Sequence, residues 1–185
     1  MIFFTSDWHI GHDKPFIWQA RGFSSIEEHD TEVLARCNSL VKENDELWIL
    51  GDLAMGGNKE EWDRIYKNLL CKNVHFIQGN HDTDNKMDIY EDEYRFIYEG
   101  LAQIYKYSKS KIFYLSHFPT IVSNYEEYNP RWNLSGHTHS TKIDDNIQGK
   151  IYNVALDAHN CYPVSLEQIL TDLKEIRRIY GCLTR

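Results

Sequence analysis

Residues that are able to bind metal ions occur in five short blocks, each directly after an apolar run typical of a β-strand. In chain order the blocks are Asp7-Trp8-His9, Gly51-Asp52, Gly79-Asn80-His81-Asp82, Ser116-His117 and Gly136-His137-Thr138-His139. Carboxylate, imidazole and amide oxygen are ligands that suit Mn, Fe, Zn or Ni. Seven such ligands are too many for one tetrahedral zinc ion, but they match two ions that share one carboxylate. A two-metal site predicts hydrolysis, most often of a phosphate ester.

Taken one at a time, the blocks differ in how much they indicate. Asp7 and His9 are two residues apart, so a strand or its exit can aim both at one ion, although a surface pair would look the same. Gly51-Asp52 alone is also a common turn. The Gly79–Asp82 block is stronger, because His81 can act as a general acid that Asp82 would orient or make more basic. Its alternative is an Asx turn with a solvated histidine.

The elements that position these blocks alternate between strand and helix in the first half of the chain. We predict strands at 1–6, 47–50, 74–77, 96–108, 111–116 and 151–156, and helices at about 24–41, 59–71 and 165–180. Residues 7–23, 83–95 and 118–132 are predicted to be irregular. Ser24 with Glu27, Asn58, and Ser165 with Gln168 are the candidate helix N-caps. Strands dominate the second half, so the fold class is α/β with a mixed sheet arrangement.

Because sites in open α/β folds gather outside the carboxyl ends of strands, five blocks at five strand ends can meet in one cleft. The chain has 185 residues and is most simply one domain, 1–185. It contains no linker, repeat or low-complexity tract. No feature of the sequence indicates an oligomeric state.

Composition excludes several classes of protein. Hydrophobic residues make up 42% and charged residues 26%, which is typical of a globular chain. No apolar run reaches the length of a membrane span, and the apolar N-terminus lacks a basic segment, so the expected location is cytoplasmic. The formal net charge of −8 offers no basic surface for long nucleic acid. The four cysteines form no C-x-x-C pair and are expected to be reduced, with Cys37 and Cys71 in the core.

Together, the five blocks closely resemble the signature of the calcineurin-like metallophosphoesterase superfamily, which reads D-x-H, G-D, G-N-H-D/E, H and G-H-x-H. All five are present in this order between residues 7 and 139. The resemblance implies a fold of two mixed β-sheets packed face to face, with helices on the outer faces. It also implies hydrolysis of phosphate esters by a hydroxide that bridges two metal ions.

The resemblance further implies a division of the site residues. One ion would take Asp7, His9 and His139, and Asp52 would bridge to the other ion. That second ion would take Asn80, His117 and His137. His81 would protonate the leaving alkoxide, and Asp82 would hold His81. Mn²⁺ is the first expectation for both ions, with Fe, Zn or Ni as alternatives.

Within the superfamily, Ser6–His12 followed by Arg21 and Phe23 resembles small bacterial and phage phosphoesterases, which read S-D-x-H-x-G-H and then R-P-F. Gly22 stands in place of the proline. His12 is a candidate for contact with the substrate phosphate, for support of a metal ligand, or for an ordinary loop position. Arg21 could form a bidentate pair with a phosphate, or a surface ion pair with Glu27 or Glu28.

The segment between the fourth and fifth blocks is a candidate pocket wall. Arg131 is a third candidate for substrate binding, and the aromatic residues near it could stack on a base. The alternative is an ordinary surface loop in which Trp132 packs against the core. Asp157 and His159 follow a predicted strand, and we expect them to be peripheral because the ligand set is already complete.

The expected function is therefore hydrolysis of a small phosphomonoester or phosphodiester, and nucleotides and cyclic nucleotides are plausible substrates. A nuclease of the same superfamily is an alternative, but it would need a DNA-binding surface that the acidic charge does not favour. A non-catalytic scaffold for protein interaction is a second alternative. Such a scaffold would usually lack a metal ligand or the catalytic histidine, and this chain has all of them.

Overall fold

The computed structural model describes residues 1–109, 111–120, 132–139 and 151–181, and it describes side chains as far as residue 176. The strands are β1 (Ile2–Thr5), β2 (Glu46–Leu50), β3 (Asn73–Ile77), β4 (Ile97–Tyr98), β5 (Ala102–Ser108), β6 (Lys111–Ser116), β7 (Trp132–Ser135), β8 (Ile151–Asn153) and β9 (Val164–Ser165). The α-helices are α1 (Pro15–Trp18), α2 (Ile26–Leu40), α3 (Lys59–Tyr66), α4 (Asp84–Asp92) and α5 (Leu166–Gly181). A 3₁₀ helix spans Leu156–His159.

The described strands form two mixed sheets. The first has the order β4-β3-β2-β1-β9, in which β1 to β4 are parallel and β9 is antiparallel to β1. The second has the order β5-β6-β7-β8, in which only the β5–β6 pair is antiparallel. This arrangement confirms the α/β fold with two mixed sheets.

Alternating side chains of the first sheet bury into two separate cores. Along β1, Phe3 belongs to one core and Phe4 to the other, and on β2 Leu47 and Trp48 divide in the same way. Because successive side chains of a strand point to opposite faces, a strand that is buried on both faces must be apolar at every position. This explains why β1 and β2 are continuous apolar runs in the sequence.

One face of the first sheet packs against helices and the other against the second sheet. Val33 of α2, Ile65 of α3 and Tyr90 of α4 lie in the core that contains Phe3. Phe4 packs edge-on against Tyr105 of β5, with the ring centroids 5.8 Å apart. Helix α5 adds its apolar side chains, Ile169 among them, to this second core.

Two of the three predicted N-cap residues cap their helices, and the third cap lies one residue later than predicted. Asn58 accepts a hydrogen bond from the backbone N–H of Glu61 and completes a capping box for α3. Ser165 accepts from Gln168 N and begins α5 as predicted. Helix α2 is capped by Ser25, whose Oγ accepts from Glu28 N, so the prediction of Ser24 is wrong by one residue.

Several predicted elements differ in the structure. The segment 7–23, predicted to be irregular, contains α1, and the helix predicted over 59–71 ends at Tyr66. Residues 84–92 form α4 instead of an irregular segment, because Met87 and Tyr90, three residues apart, both bury their side chains against the core. The predicted strand 151–156 ends at Asn153 and is followed by the 3₁₀ helix. The predicted strand 96–108 is divided by a turn at Gly100, whose φ is 88°.

The remaining general predictions concern cysteines and membrane spans. Cys37 and Cys71 are buried in the helix-covered core and unpaired, as predicted, and Cys161 is also buried and free. Within the described ranges, no helix combines the length and the apolar character that crossing a bilayer requires.

Candidate metal centre

The ligand blocks lie at the carboxyl ends of five strands, and the site forms where the two sheets meet. Asp7 and His9 follow β1, Asp52 follows β2, and Asn80 follows β3 in the first sheet. His117 follows β6, and His137 and His139 follow β7 in the second sheet. Backbone hydrogen bonds join the loops, among them Asp7 N to Gly51 O at 3.0 Å and His9 N to Asp52 O at 3.0 Å.

Five of the seven candidate ligands have a left-handed backbone conformation that non-glycine residues rarely adopt. The φ angles are 58° at Asp7, 53° at His9, 56° at Asp52, 69° at His137 and 46° at His139. Each such residue costs about 1 to 3 kcal/mol and persists only where the surrounding structure enforces it. The fold therefore tolerates backbone strain at this site in order to turn these side chains inward.

The glycines that precede the ligands allow the loops to approach one another closely. A Cβ atom on Gly79 would collide with Oδ1 of Asp52, and one on Gly136 would collide with Oδ2 of Asp7. Any larger residue would push a candidate ligand out of the site. This contact explains sterically why glycine stands at both places in the sequence.

The first ligand group contains Asp7, His9 and His139. The Nε2 atoms of the two histidines lie 3.0 Å apart. Oδ1 of Asp7 is 3.8 Å from His9 Nε2 and 3.5 Å from His139 Nε2. These three side chains can hold one metal ion.

The second ligand group contains Asn80, His117 and His137. Oδ1 of Asn80 is 2.9 Å from His117 Nε2 and 3.0 Å from His137 Nδ1. Oδ2 of Asp52 lies between the two groups, 3.4 Å from His117 Nε2 and 3.7 Å from His9 Nε2. Asp7 is also within reach of the second group, because Asp7, Asp52 and His117 could together hold an ion.

Two of the imidazoles form a hydrogen bond through the ring nitrogen that points away from the site. In the neutral ring this leaves the other nitrogen, which faces the site, with a lone pair for a metal ion. His117 Nδ1 donates to Leu50 O at 2.9 Å, so in the neutral ring Nε2 carries a lone pair. His139 Nδ1 is held in the same way by Oδ2 of Asp157 at 2.9 Å. In the neutral rings the lone pair of His117 faces Oδ2 of Asp52 and that of His139 faces Oδ1 of Asp7, and a cation would relieve the repulsion. The donor set fits a metal site with outer-shell support.

The charge states of the site also suit cations. Burial acts to raise the pKa of Asp52, but its bond and attraction to His117 outweigh burial and lower the pKa to about 2. Burial likewise acts to raise the pKa of Asp7, yet contacts with His9 and the charges of neighbouring histidines lower it. Burial lowers the pKa of His9 and of His137. Burial also acts to lower the pKa of His117 and of His139, but the bonds of His117 to Asp52 and of His139 to Asp157 outweigh burial and raise it. Two buried carboxylates thus stay ionised at the centre of the site.

Arg21 is buried beneath the first ligand group, where it holds the backbone of Asp7 and Trp8. Both roles predicted for Arg21 are wrong. Its side chain is only 1% exposed. The guanidinium donates to the carbonyl oxygens of Asp7 at 2.7 Å and Trp8 at 3.2 Å, and it forms a bidentate pair with Asp157 at 2.8 and 3.1 Å. Because these acceptors surround it, Arg21 pairs with neither a phosphate nor the glutamates of α2.

Asp82 also has a different place from the predicted one. Its carboxylate accepts backbone N–H bonds from Asp52 at 2.7 Å, Leu53 at 3.2 Å and Gly79 at 2.9 Å. The prediction that Asp82 holds the His81 side chain is therefore corrected. Asp82 instead clamps the loop after β2 to the loop after β3, which fixes the bridging carboxylate of Asp52.

His81 lies at the open side of the site, with its side chain 34% exposed and Nε2 3.9 Å from Asp52 Oδ2. Its backbone N–H donates to Oδ1 of Asp52 at 2.9 Å. Lys86 of α4 holds the other end of this residue, because its Nζ donates to His81 O at 2.7 Å and to Ala54 O at 2.6 Å. The imidazole of His81 is thus free to meet a ligand while its backbone is anchored.

The remaining substrate-binding candidates are placed as follows. His12 lies beside the site, with its ring 5.4 Å from that of His9, and burial lowers its pKa to about 4. Arg131 lies outside the described residues. Trp132 is buried in β7, which matches the alternative that it packs into the core.

The sequence did not reveal three supporting residues. Asp157, expected to be peripheral, holds both His139 and Arg21, and Ser6 donates its hydroxyl to Oδ2 of Asp7 at 2.6 Å. Lys86 is the third. Asp157 follows a predicted strand and Ser6 opens the S-D-x-H-x-G-H motif, whereas Lys86 belongs to no motif.

Comparison with known proteins supports the family resemblance. The profile of the family described as calcineurin-like phosphoesterase matches residues 1–124. The uncharacterized protein MJ1445 of Methanocaldococcus jannaschii is 32% identical over 174 residues, which cover 91% of this chain and 89% of the relative. The gene 66 protein of Mycobacterium phage L5 is 30% identical over 185 residues, with 84% and 86% coverage.

A solved structure has the same overall fold. The crystal structure of AQ665, a protein of unknown function from Aquifex aeolicus, aligns with a TM-score of 0.69 at 23% identity. The alignment covers 92% of this chain and 98% of that one. With the profile match, the relatives and the ligand blocks at five strand ends taken together, this chain belongs to the calcineurin-like phosphoesterase family.

Proposed function

We propose that this chain is a metal-dependent phosphoesterase that hydrolyses small phosphomonoesters or phosphodiesters, with nucleotides and cyclic nucleotides among the candidates. One observation carries the proposal: imidazole nitrogens of both ligand groups, from His9 and from His117, lie within 3.7 Å of Oδ2 of Asp52. A surface cluster of histidines would not need the outer hydrogen bonds that orient His117 and His139.

The residues divide into two ligand sets around the shared carboxylate. Asp7, His9 and His139 would hold one ion, and Asn80, His117 and His137 would hold the other. When bound, the two cations would polarise the phosphoryl group and activate water for in-line displacement. Mn²⁺ is the first candidate and Fe, Zn or Ni are alternatives, because nitrogen and oxygen donors suit all four metals.

The protein's own contribution to bond cleavage comes from His81. Its imidazole faces the opening of the site and can donate a proton to the departing ester oxygen. The bonds from its backbone N–H to Asp52 and from Lys86 to its carbonyl oxygen hold it there. Proton donation would matter most for esters of poorly acidic alcohols, whose alkoxides are strong bases.

Hydrolysis of p-nitrophenyl phosphate and bis-p-nitrophenyl phosphate by protein loaded with Mn²⁺ tests the proposal. We expect turnover of at least one ester, its loss on chelation, and its recovery when Mn²⁺ is added back. The ratio of the two rates separates a monoesterase from a diesterase. Absence of turnover with either ester, in protein shown by elemental analysis to hold metal, would contradict the enzymatic function and favour a scaffold.

A further inference from the structure

A cavity of about 510 Å³ opens directly beside the first ligand group. On one side it is lined by His9, His81 and His139, which belong to the proposed catalytic site. The lining also has an apolar part, which contains Phe16 and Ile17 of α1 and Ala20. Met55, three residues beyond Asp52, adds to this apolar part.

The charge of the lining restricts what the cavity can accept. No lysine or arginine is among the described residues that line it. Lys14 lies near enough to lower the pKa of His12, after the larger effects of burial, His9 and His81, but it is not part of the lining. A second phosphate in the cavity would lose its water without gaining a cationic partner, which is costly. An uncharged group would not suffer this cost.

The apolar part of the lining presents an aromatic ring to an incoming group. Phe16 lies in α1 and is 69% exposed. Its ring packs edge-on against that of His12, with the ring centroids 5.5 Å apart. An exposed phenylalanine beside a reactive site is a surface on which another ring can stack. Burial of that surface would favour a substrate that carries an apolar or aromatic group.

We propose that this cavity binds the uncharged apolar or aromatic organic group of the ester while the phosphate lies at the ligand groups. The inference rests on the proposed function and deepens it. Substrates would be small esters whose organic part is uncharged, and compounds with a second phosphate in that part would be poor ligands. Phe16 and Met55 would then determine specificity.

Non-hydrolysable phosphonates test the proposal without depending on catalysis. Benzylphosphonate and ethylphosphonate share the same head group and differ in the apolar part. For protein loaded with Mn²⁺, calorimetry should show that the benzyl compound binds about 10-fold more tightly or better, which is the scale for added apolar contacts in a pocket. Phe16→Ala and Met55→Ala should each reduce this ratio.

The matched control is Leu101→Ala, because Leu101 is 70% exposed, close to the value for Phe16, and does not line the cavity. This variant should keep the wild-type ratio. Equal affinities for the two phosphonates, or a ratio that survives in both cavity variants, would overturn the inference.

A parallel assay of benzyl phosphate and ethyl phosphate separates the two proposals. Both esters release the alkoxide of a primary alcohol, so their intrinsic reactivities are similar. Preference for benzylphosphonate without hydrolysis of either ester or of bis-p-nitrophenyl phosphate would support the binding cavity and contradict the phosphoesterase function. Hydrolysis of both esters at equal efficiency, with equal phosphonate affinities, would support the function and overturn the cavity inference.

Discussion

Oδ2 of Asp52 lies 3.4 Å from Nε2 of His117, and the opposite ring nitrogen of His117 donates to the carbonyl oxygen of Leu50. The outer hydrogen bond directs the imidazole lone pair toward the carboxylate. Two acceptors at this distance repel each other unless a proton or a cation lies between them. The same carboxylate oxygen is 3.7 Å from Nε2 of His9, so one atom faces both ligand groups.

The first prediction concerns Asp52→Asn. The substitution removes the shared negative charge, so the chain should hold one Mn²⁺ instead of two, as measured by elemental analysis after gel filtration. Hydrolysis should fall by more than about 100-fold, because several kcal/mol of charge stabilisation is lost. A variant that retains both ions and wild-type turnover would exclude Asp52 as the bridging ligand.

Replacement of His81 should separate catalysis from metal binding. His81→Ala should keep both ions, because the imidazole lies outside the two ligand groups. Its kcat on an alkyl phosphate should fall by about 100-fold or more, the scale of a lost general acid. The loss on p-nitrophenyl phosphate should be smaller, since that leaving group needs no proton. Equal losses on both substrates would show that His81 acts in another way.

Lys86 should be a positioning residue for His81. Lys86→Met removes the donor to two buried carbonyl oxygens, which should lower the free energy of unfolding by about 1–3 kcal/mol in urea titrations. It should also lower kcat on the alkyl phosphate more than it raises KM, and Lys86→Arg should restore part of kcat.

The matched lysine control is Lys67→Met, because Lys67 is exposed and, among the described residues, forms its ion pair with Asp63 on the surface of α3. Its loss should change stability by less than about 1 kcal/mol and leave kcat unchanged. Equal changes in the free energy of unfolding and in kcat for the two methionine variants would show that Lys86 does not position His81.

The Arg21–Asp157 pair should make stability sensitive to acid. Burial acts to raise the pKa of Asp157, but its bonds to His139 and Arg21 reverse the direction and hold the pKa well below the usual value of 3.8. As the pH falls, Asp157 is protonated in the unfolded chain before it is protonated in the folded one. The stabilisation that ionised Asp157 gives the fold is therefore complete above about pH 5 and declines as the pH falls through about 4.

Urea titrations of metal-free Asp157→Asn and wild type between pH 7 and pH 3 check this. At pH 7 the variant should be less stable by about 3–5 kcal/mol, since the buried Arg21 loses its charged partner. The difference in the free energy of unfolding between the variant and the wild type should become smaller toward pH 3. A difference that is constant with pH would show that ionisation of Asp157 does not contribute.

The sequence by itself determined which residues are the candidate ligands and where in the fold they lie. The candidate ligands are local to their strand ends, and apolar runs mark the strands that precede them, so order and residue type were enough to predict that the seven residues converge. The family fold followed from the same blocks. Arg131 lies outside the described residues, and its predicted contact with substrate stays a prediction.

Only the tertiary structure decided how the ligands are supported. Arg21 is close to Glu27 and Glu28 in the sequence, yet its partner is Asp157 from the other end of the chain, because the packing of the two sheets brings them together. Asp82 is next to His81 and nevertheless binds the backbone of Asp52 and Leu53. Hydrogen-bond partners are determined by three-dimensional proximity, so spacing along the chain could indicate the candidate ligands but not the residues that hold them.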